Sequence, residues 1–121
     1  MASKGPARRR TIKLMNNTPD RYVTLLLEVR AKPGKEAELK AFIASTVTAS
    51  RNDPGNIDYE PHEVEGQPGT FIIFERWDTQ EAFEGHLKVP RREELAPRLM
   101  ELLDGSADDG VRFLRPFRPA Q

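Results

Sequence analysis

The sequence contains no cysteine, and among its 121 residues there are only one tryptophan and two histidines. The absence of cysteine excludes disulfides, thiolate metal sites and cysteine nucleophiles, and it fits the reducing cytoplasm. No apolar run approaches the roughly 20 residues that a membrane-spanning helix needs. The basic N-terminus is not followed by the apolar segment of a secretory signal. We therefore expect a cytoplasmic protein with no membrane partner.

The net charge is zero, but the charges are unevenly distributed along the chain. Residues 1–20 carry five cations and one anion, a net charge of +4, so the rest of the chain carries −4. The basic segment has no interleaved aromatic residues, and the body offers no matching basic face, so nucleic acid is not an expected partner. We predict a disordered tail over residues 1–20 and a single domain over residues 21–118.

The order of the apolar patterns predicts an α+β fold. Segments rich in β-branched and large apolar residues predict strands at Tyr22–Arg30, Ile57–Val64, Thr70–Trp77 and Val111–Phe117. Apolar residues at three- and four-residue spacing predict a helix from Lys35 to the Asp53-Pro-Gly break, a short helix that Pro90 ends, and a helix over Glu93–Leu103. This order is the ferredoxin-like split βαβ topology.

The start of the short helix has its own signal. Asp78 is expected to cap it, with Glu81 three residues later completing a capping box.

Both faces of the predicted sheet are apolar. In the third strand Phe71, Ile73 and Trp77 point to one side, and Ile72 and Phe74 point to the other. Helices on one side would leave the second apolar face exposed to water, which is unusual for an antiparallel sheet. A second copy of the chain could cover that face, so we expect a homodimer.

Three sequence blocks carry a family resemblance: Val29–Leu39, Asp53–Tyr59, and the strand and helix Phe71–Leu87. Together, from about Tyr22 to Phe117, they resemble the antibiotic biosynthesis monooxygenase domain, a family that includes quinol and anthrone monooxygenases. The resemblance implies a dimeric α+β barrel. It also implies a cofactor-independent monooxygenase that oxidises a planar phenolic substrate of the quinol or anthrone type with dioxygen.

His86 is the candidate base. It lies on the predicted inward stripe of the short helix with Phe83, and a neutral imidazole beside an apolar pocket can accept a proton near neutral pH. It could instead be a packed histidine that is hydrogen-bonded to a backbone carbonyl. The family pattern reads like His-Leu-x-x-Pro-His, and His86 matches its first histidine. Arg91 replaces the second; it cannot be a base, and it is either a stabiliser of an oxyanion or a surface arginine.

The other candidate residues are aromatic. Trp77 matches a Glu-x-Trp pattern of the family, and we predict that it is catalytic with His86, stacking on the substrate and donating its indole N–H. Tyr59 and Phe83 are predicted pocket walls. Trp77 could instead be a large core aromatic, and Tyr59 could equally be an aromatic of the sheet. His62 and His86 have no ligand-like spacing, so we predict no metal site.

Two alternatives remain open at this stage. Heme-degrading monooxygenases share the fold and bind iron through a histidine on this helix, but the asparagine of their first strand has no counterpart in Tyr22–Arg30. A non-catalytic dimeric ligand-binding or stress-response domain is favoured by the missing second histidine.

Overall fold

A computed structural model describes residues 22–117, so the predicted tail lies outside the described residues. The strands are β1 (Val23–Arg30), β2 (Asn56–Glu63), β3 (Thr70–Trp77) and β4 (Val111–Leu114). The helices are α1 (Glu36–Arg51), α2 (Gln80–Leu87) and α3 (Pro90–Leu102), and a 3-10 turn over Ala107–Gly110 leads into β4.

The four strands form one antiparallel sheet in the order β2-β3-β1-β4. The two central strands pair along their whole length, from Val23 opposite Trp77 to Arg30 opposite Thr70. The order and the element sequence confirm the predicted ferredoxin-like α+β fold.

The core lies between the sheet and the helices. Alternate residues of β1 and β3 point into it, including Leu25, Val29 and Ile73, and Leu39 of α1 and Leu102 of α3 pack on them. Leu39 and Leu102 are completely buried. Truncating a buried leucine to alanine typically costs about 2–5 kcal/mol, so these side chains fix the distance between each helix and the sheet.

The cap of α2 is Thr79, and the prediction of an Asp78 cap was wrong. The Thr79 hydroxyl accepts a hydrogen bond from the backbone N–H of Ala82 at 3.0 Å, while Asp78 donates its own N–H to the Gly55 carbonyl at 2.8 Å. Both residue types cap helices well. The tertiary bond to Gly55 holds Asp78 in the connection before the helix, and the helix begins one residue later.

Two further boundaries differ from the prediction. Pro90 does not merely end α2; it is the first residue of α3. At that position a backbone N–H has no partner within the helix, so proline loses no hydrogen bond, and its fixed φ suits a helix. The helix therefore starts three residues before the predicted Glu93. The last strand ends at Leu114 rather than Phe117, because its pairing with β1 ends opposite Thr24, near the start of that strand.

The face of the sheet that points away from the helices is also apolar at its centre. Leu26, Ile72 and Phe74 are only partly buried there and line a broad concavity of about 560 Å³. Ion pairs flank this strip, with Arg112 on Glu28 at 3.0 Å on one side. A further pair, between Arg76 and Asp58 at 2.9 Å, lies on the other side.

Candidate functional site

His86 is held on the inner side of α2 by the aromatic residues of the sheet. Only 3% of its side chain is exposed. Its ring lies 4.6 Å from the Trp77 ring, centroid to centroid, and 6.0 Å from the Tyr59 ring. The other histidine, His62, is exposed on β2. The predicted inward position of His86 is therefore what the structure shows, and its role as a base stays a prediction.

Asp53 binds two side chains from two different helices. Its Oδ2 lies 2.7 Å from His86 Nδ1, and Arg91 of α3 donates from Nη1 to Oδ1 at 2.9 Å and from Nη2 to Oδ2. The carboxylate is nearly enclosed, with 9% of the side chain exposed. We call Asp53, His86 and Arg91 the Asp53 clamp. It ties the turn after α1 to both α2 and α3.

Gly55 allows the turn of Asp53 to approach α2 this closely. Its φ is 83°, which is favourable only for glycine, and a Cβ atom at this position would collide with Ala82 of α2 and with the Asp78 carboxylate. The Asp53-Pro54-Gly55 segment, which was predicted to end the first helix, thus also delivers a carboxylate to the histidine.

The pKa values in the clamp have opposed causes. Burial alone would raise the pKa of Asp53, but the hydrogen bonds from Arg91 and His86 outweigh it and lower that pKa. Burial lowers the pKa of His86, and the charge of Arg92 lowers it further. The hydrogen bond to Asp53 opposes both effects, but the net result is a lowered pKa. Asp53 is therefore ionised and His86 is neutral at neutral pH.

The second nitrogen of His86 fixes the tautomer. Nε2 lies 3.3 Å from Nη1 of Arg92. An arginine can only donate, so Nε2 carries the lone pair and Nδ1 carries the proton that it donates to Asp53. The basic nitrogen of the imidazole is thus turned away from the clamp and towards Arg92.

A cavity of about 160 Å³ lies between the sheet, α1 and α3. Most of its wall is apolar and comes from both helices and the sheet, including Leu27, Ile43, Ile73, Leu95 and Leu99. Its polar wall is formed by Thr46, Ser50, Tyr59, His86, Arg91 and Arg92. The cavity therefore combines an apolar body with one polar end that holds the candidate base.

Tyr59 lines this cavity, as its predicted role as a pocket wall requires. Its phenol lies beside the hydroxyl groups of Ser50 and Thr46 on α1, which also line the cavity. Burial raises its pKa, the charge of Glu75 adds to this, and the two hydroxyl groups oppose it; the net effect is a raised pKa. Tyr59 is therefore a neutral phenol at neutral pH.

Trp77 and Phe83 lie behind His86 and do not line the cavity. Trp77 is completely buried, and its indole N–H donates to Glu75 at 3.1 Å rather than facing the cavity. Phe83 packs on Trp77 and on Phe113, with ring centroids 6.4 and 5.8 Å apart. Both residues contact the site indirectly, because the Trp77 ring supports the imidazole from behind.

Glu75 is a buried carboxyl group, with 4% of the residue exposed. Burial raises its pKa, while the Trp77 N–H and the charge of Arg92 oppose this, and the net effect is a raised pKa. It lies beside Tyr59 in the β2–β3 register. The sequence signal for its bond to Trp77 was the two-residue spacing, which places both on one face of a strand.

The two arginines at the polar end differ in their partners. Arg91, the predicted candidate for an oxyanion stabiliser, has its charge compensated by Asp53. Arg92 lines the same cavity and, among residues 22–117, has no carboxylate within ion-pair distance. The sequence alone had given no role to Arg92.

Residues 22–117 contain no group of three or more histidine, aspartate or glutamate side chains that could hold a metal ion. In the same part of the chain, no helix has the length and apolar character needed to cross a bilayer.

Comparison with known proteins agrees with the resemblance seen in the sequence. The family model for antibiotic biosynthesis monooxygenase matches residues 22–109. A Synechocystis protein, sll1783, is 30% identical over 80 residues, which are 66% of this chain and 54% of that protein, so the chain spans about half the length of this relative. YcnE of Bacillus subtilis, named as a candidate monooxygenase, is 28% identical over 71% of this chain and 90% of its own length.

Solved structures share the fold. Rv0793 from Mycobacterium tuberculosis superposes with a TM-score of 0.71 at 23% identity, covering 83% of this chain and 99% of that one. A structure from Deinococcus radiodurans, described as a candidate antibiotic biosynthesis monooxygenase, gives a TM-score of 0.66 at 22% identity, covering 83% and 96%.

Proposed function

Because the chain belongs to the antibiotic biosynthesis monooxygenase family, we propose that it is a cofactor-independent monooxygenase that oxidises a planar phenolic substrate, of the quinol or anthrone type, with dioxygen. The observation that carries this proposal is the state of His86. It is neutral, it is oriented by Asp53, and its basic nitrogen lies at the polar end of an apolar cavity.

The first step is proton transfer from the substrate. A phenolic hydroxyl that enters the polar end takes the place of Arg92 at His86 Nε2 and donates its proton there. The resulting imidazolium is stabilised by the ionised Asp53 on Nδ1, 2.7 Å away. Arg92 then lies beside the new phenolate oxygen, where a guanidinium stabilises negative charge. A positioned base of this kind contributes roughly 100- to 10,000-fold to the rate.

The second step is oxidation of the phenolate. An electron-rich phenolate passes an electron to dioxygen, and the two radicals combine to form a carbon–oxygen bond. One oxygen atom stays on the ring, and the other leaves as water with two hydrogens from the substrate. The substrate supplies all four electrons, so this balance needs no external reductant. The apolar wall of the cavity keeps bulk water from the intermediates.

The same family membership supports a homodimer. The strip of Leu26, Ile72 and Phe74 lies on the sheet face that none of the described helices covers, and ion pairs flank it. Packing this face on its own copy about a two-fold axis buries the strip and produces the dimeric α+β barrel.

A heme-binding function receives less support. The cavity of about 160 Å³ would have to enlarge much more for a heme than for a ligand of one to three rings. Both nitrogens of His86 are also engaged, by Asp53 and Arg92.

Oxygen uptake tests the proposed function. The purified protein is mixed with dithranol or with a reduced naphthoquinone, in the presence of a chelator and without flavin. His86→Gln should reduce the rate roughly 100-fold or more, since the amide cannot accept the proton. His62→Gln removes the other imidazole, which is exposed on β2, and should retain the rate. Uptake that depends on added flavin, or equal rates in both variants with the fold and mass intact, would rule out the mechanism.

The pH dependence gives a second readout of the same step. Because the pKa of His86 is lowered, the imidazole stays neutral to a more acidic pH than a free histidine does. The apparent pKa of the acid limb in the pH profile of kcat/KM should therefore lie below the usual histidine pKa of about 6.5.

A further inference from the structure

Arg92, a residue that is exposed overall, places its guanidinium beside His86 at the polar end of the cavity without a carboxylate partner among residues 22–117. Among the described residues, no carboxylate lies within ion-pair distance of its guanidinium, whereas the neighbouring Arg91 is held by Asp53. Glu75 interacts with Arg92 only at longer range, and burial raises the pKa of that carboxyl group, which reduces its negative charge. A guanidinium that lines an apolar cavity in this state is suited to an anionic ligand group.

The size of the cavity limits the ligand to a small ring system. An apolar cavity of about 150 Å³ is known to hold one benzene molecule. The cavity here is about 160 Å³. The cavity therefore matches one six-membered ring in volume, and it would have to enlarge to hold the three fused rings of an anthrone.

The distance between the two polar groups restricts the substitution pattern. His86 Nε2 and Arg92 Nη1 are 3.3 Å apart. A ligand that binds the two groups through separate oxygen atoms, one on each, must therefore hold those atoms close to each other. Oxygen atoms on adjacent ring substituents meet this condition, and those on opposite sides of the ring do not.

We propose that the ligand is a single aromatic ring that carries a hydroxyl group next to an anionic group, as in a 2-hydroxybenzoate, and that Arg92 selects it. The hydroxyl donates to His86 Nε2 and the carboxylate binds Arg92. This assignment rests on the proposed function, because it narrows the phenolic substrate to a class. The redox-active member of the class is 2,5-dihydroxybenzoate. In its oxidation one ring C–H becomes C–OH and the two hydroxyl groups become carbonyls. The second oxygen atom of dioxygen leaves as water.

Calorimetric titration with three isomers tests the assignment. The probes are 2-, 3- and 4-hydroxybenzoate, which have the same mass and charge at neutral pH and differ in the position of the hydroxyl, which in the 2-isomer must exchange its internal hydrogen bond to the carboxylate for the one to His86. The wild-type protein should bind the 2-isomer at least about tenfold more tightly than the 4-isomer, since only the 2-isomer makes both polar contacts. Arg92→Gln should reduce this preference to less than about threefold. Arg92→Lys, which keeps a charge but loses the fork of donors, should give an intermediate value.

Arg98→Gln is the matched control for the loss of an arginine. Arg98 lies on the same helix, is bound to Glu38 and Glu101 at the surface, and does not line the cavity. This variant should retain the full preference for the 2-isomer. Equal affinity for the three isomers, an unchanged preference in Arg92→Gln, or no binding of any isomer at millimolar concentration would each overturn the assignment.

Binding and turnover separate this proposal from the proposed function. If the protein takes up oxygen with dithranol but binds none of the hydroxybenzoates, the ligand class is wrong and the monooxygenase function stands. If 2-hydroxybenzoate binds through Arg92 but neither 2,5-dihydroxybenzoate nor any other quinol supports oxygen uptake, the ligand class stands and the monooxygenase function is wrong.

Discussion

Replacing Asp53 by asparagine removes the charge that joins three elements while keeping the size of the side chain. Asp53 now accepts three contacts, one from His86 and two from Arg91. Asparagine retains one oxygen and can retain one of them. Hydrogen bonds to charged groups contribute about 1.5–3 kcal/mol each and are not additive.

Because one of the two partners of Asp53 is partly exposed, the expected loss of stability lies towards the lower end of this range. Arg91 is 29% exposed and can be rehydrated when its partner is lost, whereas His86 is buried and cannot. We expect the free energy of unfolding to fall by about 2 kcal/mol, or roughly 6–12 °C in Tm for a domain of this size. Turnover should fall as well, since the imidazole loses the group that sets its tautomer.

The pH dependence has a definite sign. The pKa of Asp53 is lowered in the folded protein, so its contribution to stability is present above the ordinary carboxyl pKa and is lost as the pH falls through the folded value. The gap between wild type and Asp53→Asn should therefore be full at pH 7 and shrink below about pH 4.

Urea denaturation of both proteins at pH 7, 5 and 3.5 measures this gap. Glu38→Gln is the control: Glu38 also binds two cations, Arg98 and Lys35, but on the surface of α1. Exposed pairs contribute little, so the control should lose no more than a degree or two in Tm. If Asp53→Asn costs no more than this control at pH 7, or if the gap does not shrink in acid, the clamp does not hold the site as described.

Two further predictions concern the rest of the molecule. Glu75→Gln should raise the free energy of unfolding at pH 7–8 and leave it unchanged near pH 4. The reason is that the pKa of Glu75 is raised in the folded protein, so the wild type loses stability as the pH rises above the ordinary carboxyl pKa. Thermal melts across that pH range measure the difference, and a variant that is less stable than the wild type at pH 8 refutes the argument. Phe74→Asp, on the sheet face that the helices of residues 22–117 leave open, should convert a dimer to a monomer in sedimentation equilibrium. Met100→Asp, at an exposed helix position, should leave the mass unchanged, and a wild-type monomer would contradict the proposed dimer.

Local sequence patterns were sufficient for the fold. Both ends of the strand Thr70–Trp77 were predicted correctly. Its dense apolar alternation is bounded by the turn at Gly69 before it and by the cap of α2 after it. The start of α3 was missed although Pro90 carried the signal, since proline favours the first turn of a helix as much as it ends the previous one.

The site was only partly predictable. His86 and Tyr59 follow from helix and strand periodicity together with the family pattern. Asp53 does not, because its partner His86 lies 33 residues away and the contact depends on how the turn after α1 meets α2. The different roles of Arg91 and Arg92 depend on the same tertiary contact, since their sequence neighbourhoods are almost identical and only the position of the Asp53 carboxylate distinguishes them.

The fate of the two atoms of dioxygen tests the central claim most directly. The protein, free of added metal and flavin, is given a reduced quinone under ¹⁸O₂, and the product is analysed by mass spectrometry. The proposed mechanism predicts one ¹⁸O atom in a hydroxylated quinone and no hydrogen peroxide, with the labelled product lost in His86→Gln and retained in His62→Gln. A quinone without ¹⁸O that forms together with hydrogen peroxide, or labelling that persists in His86→Gln, would contradict it.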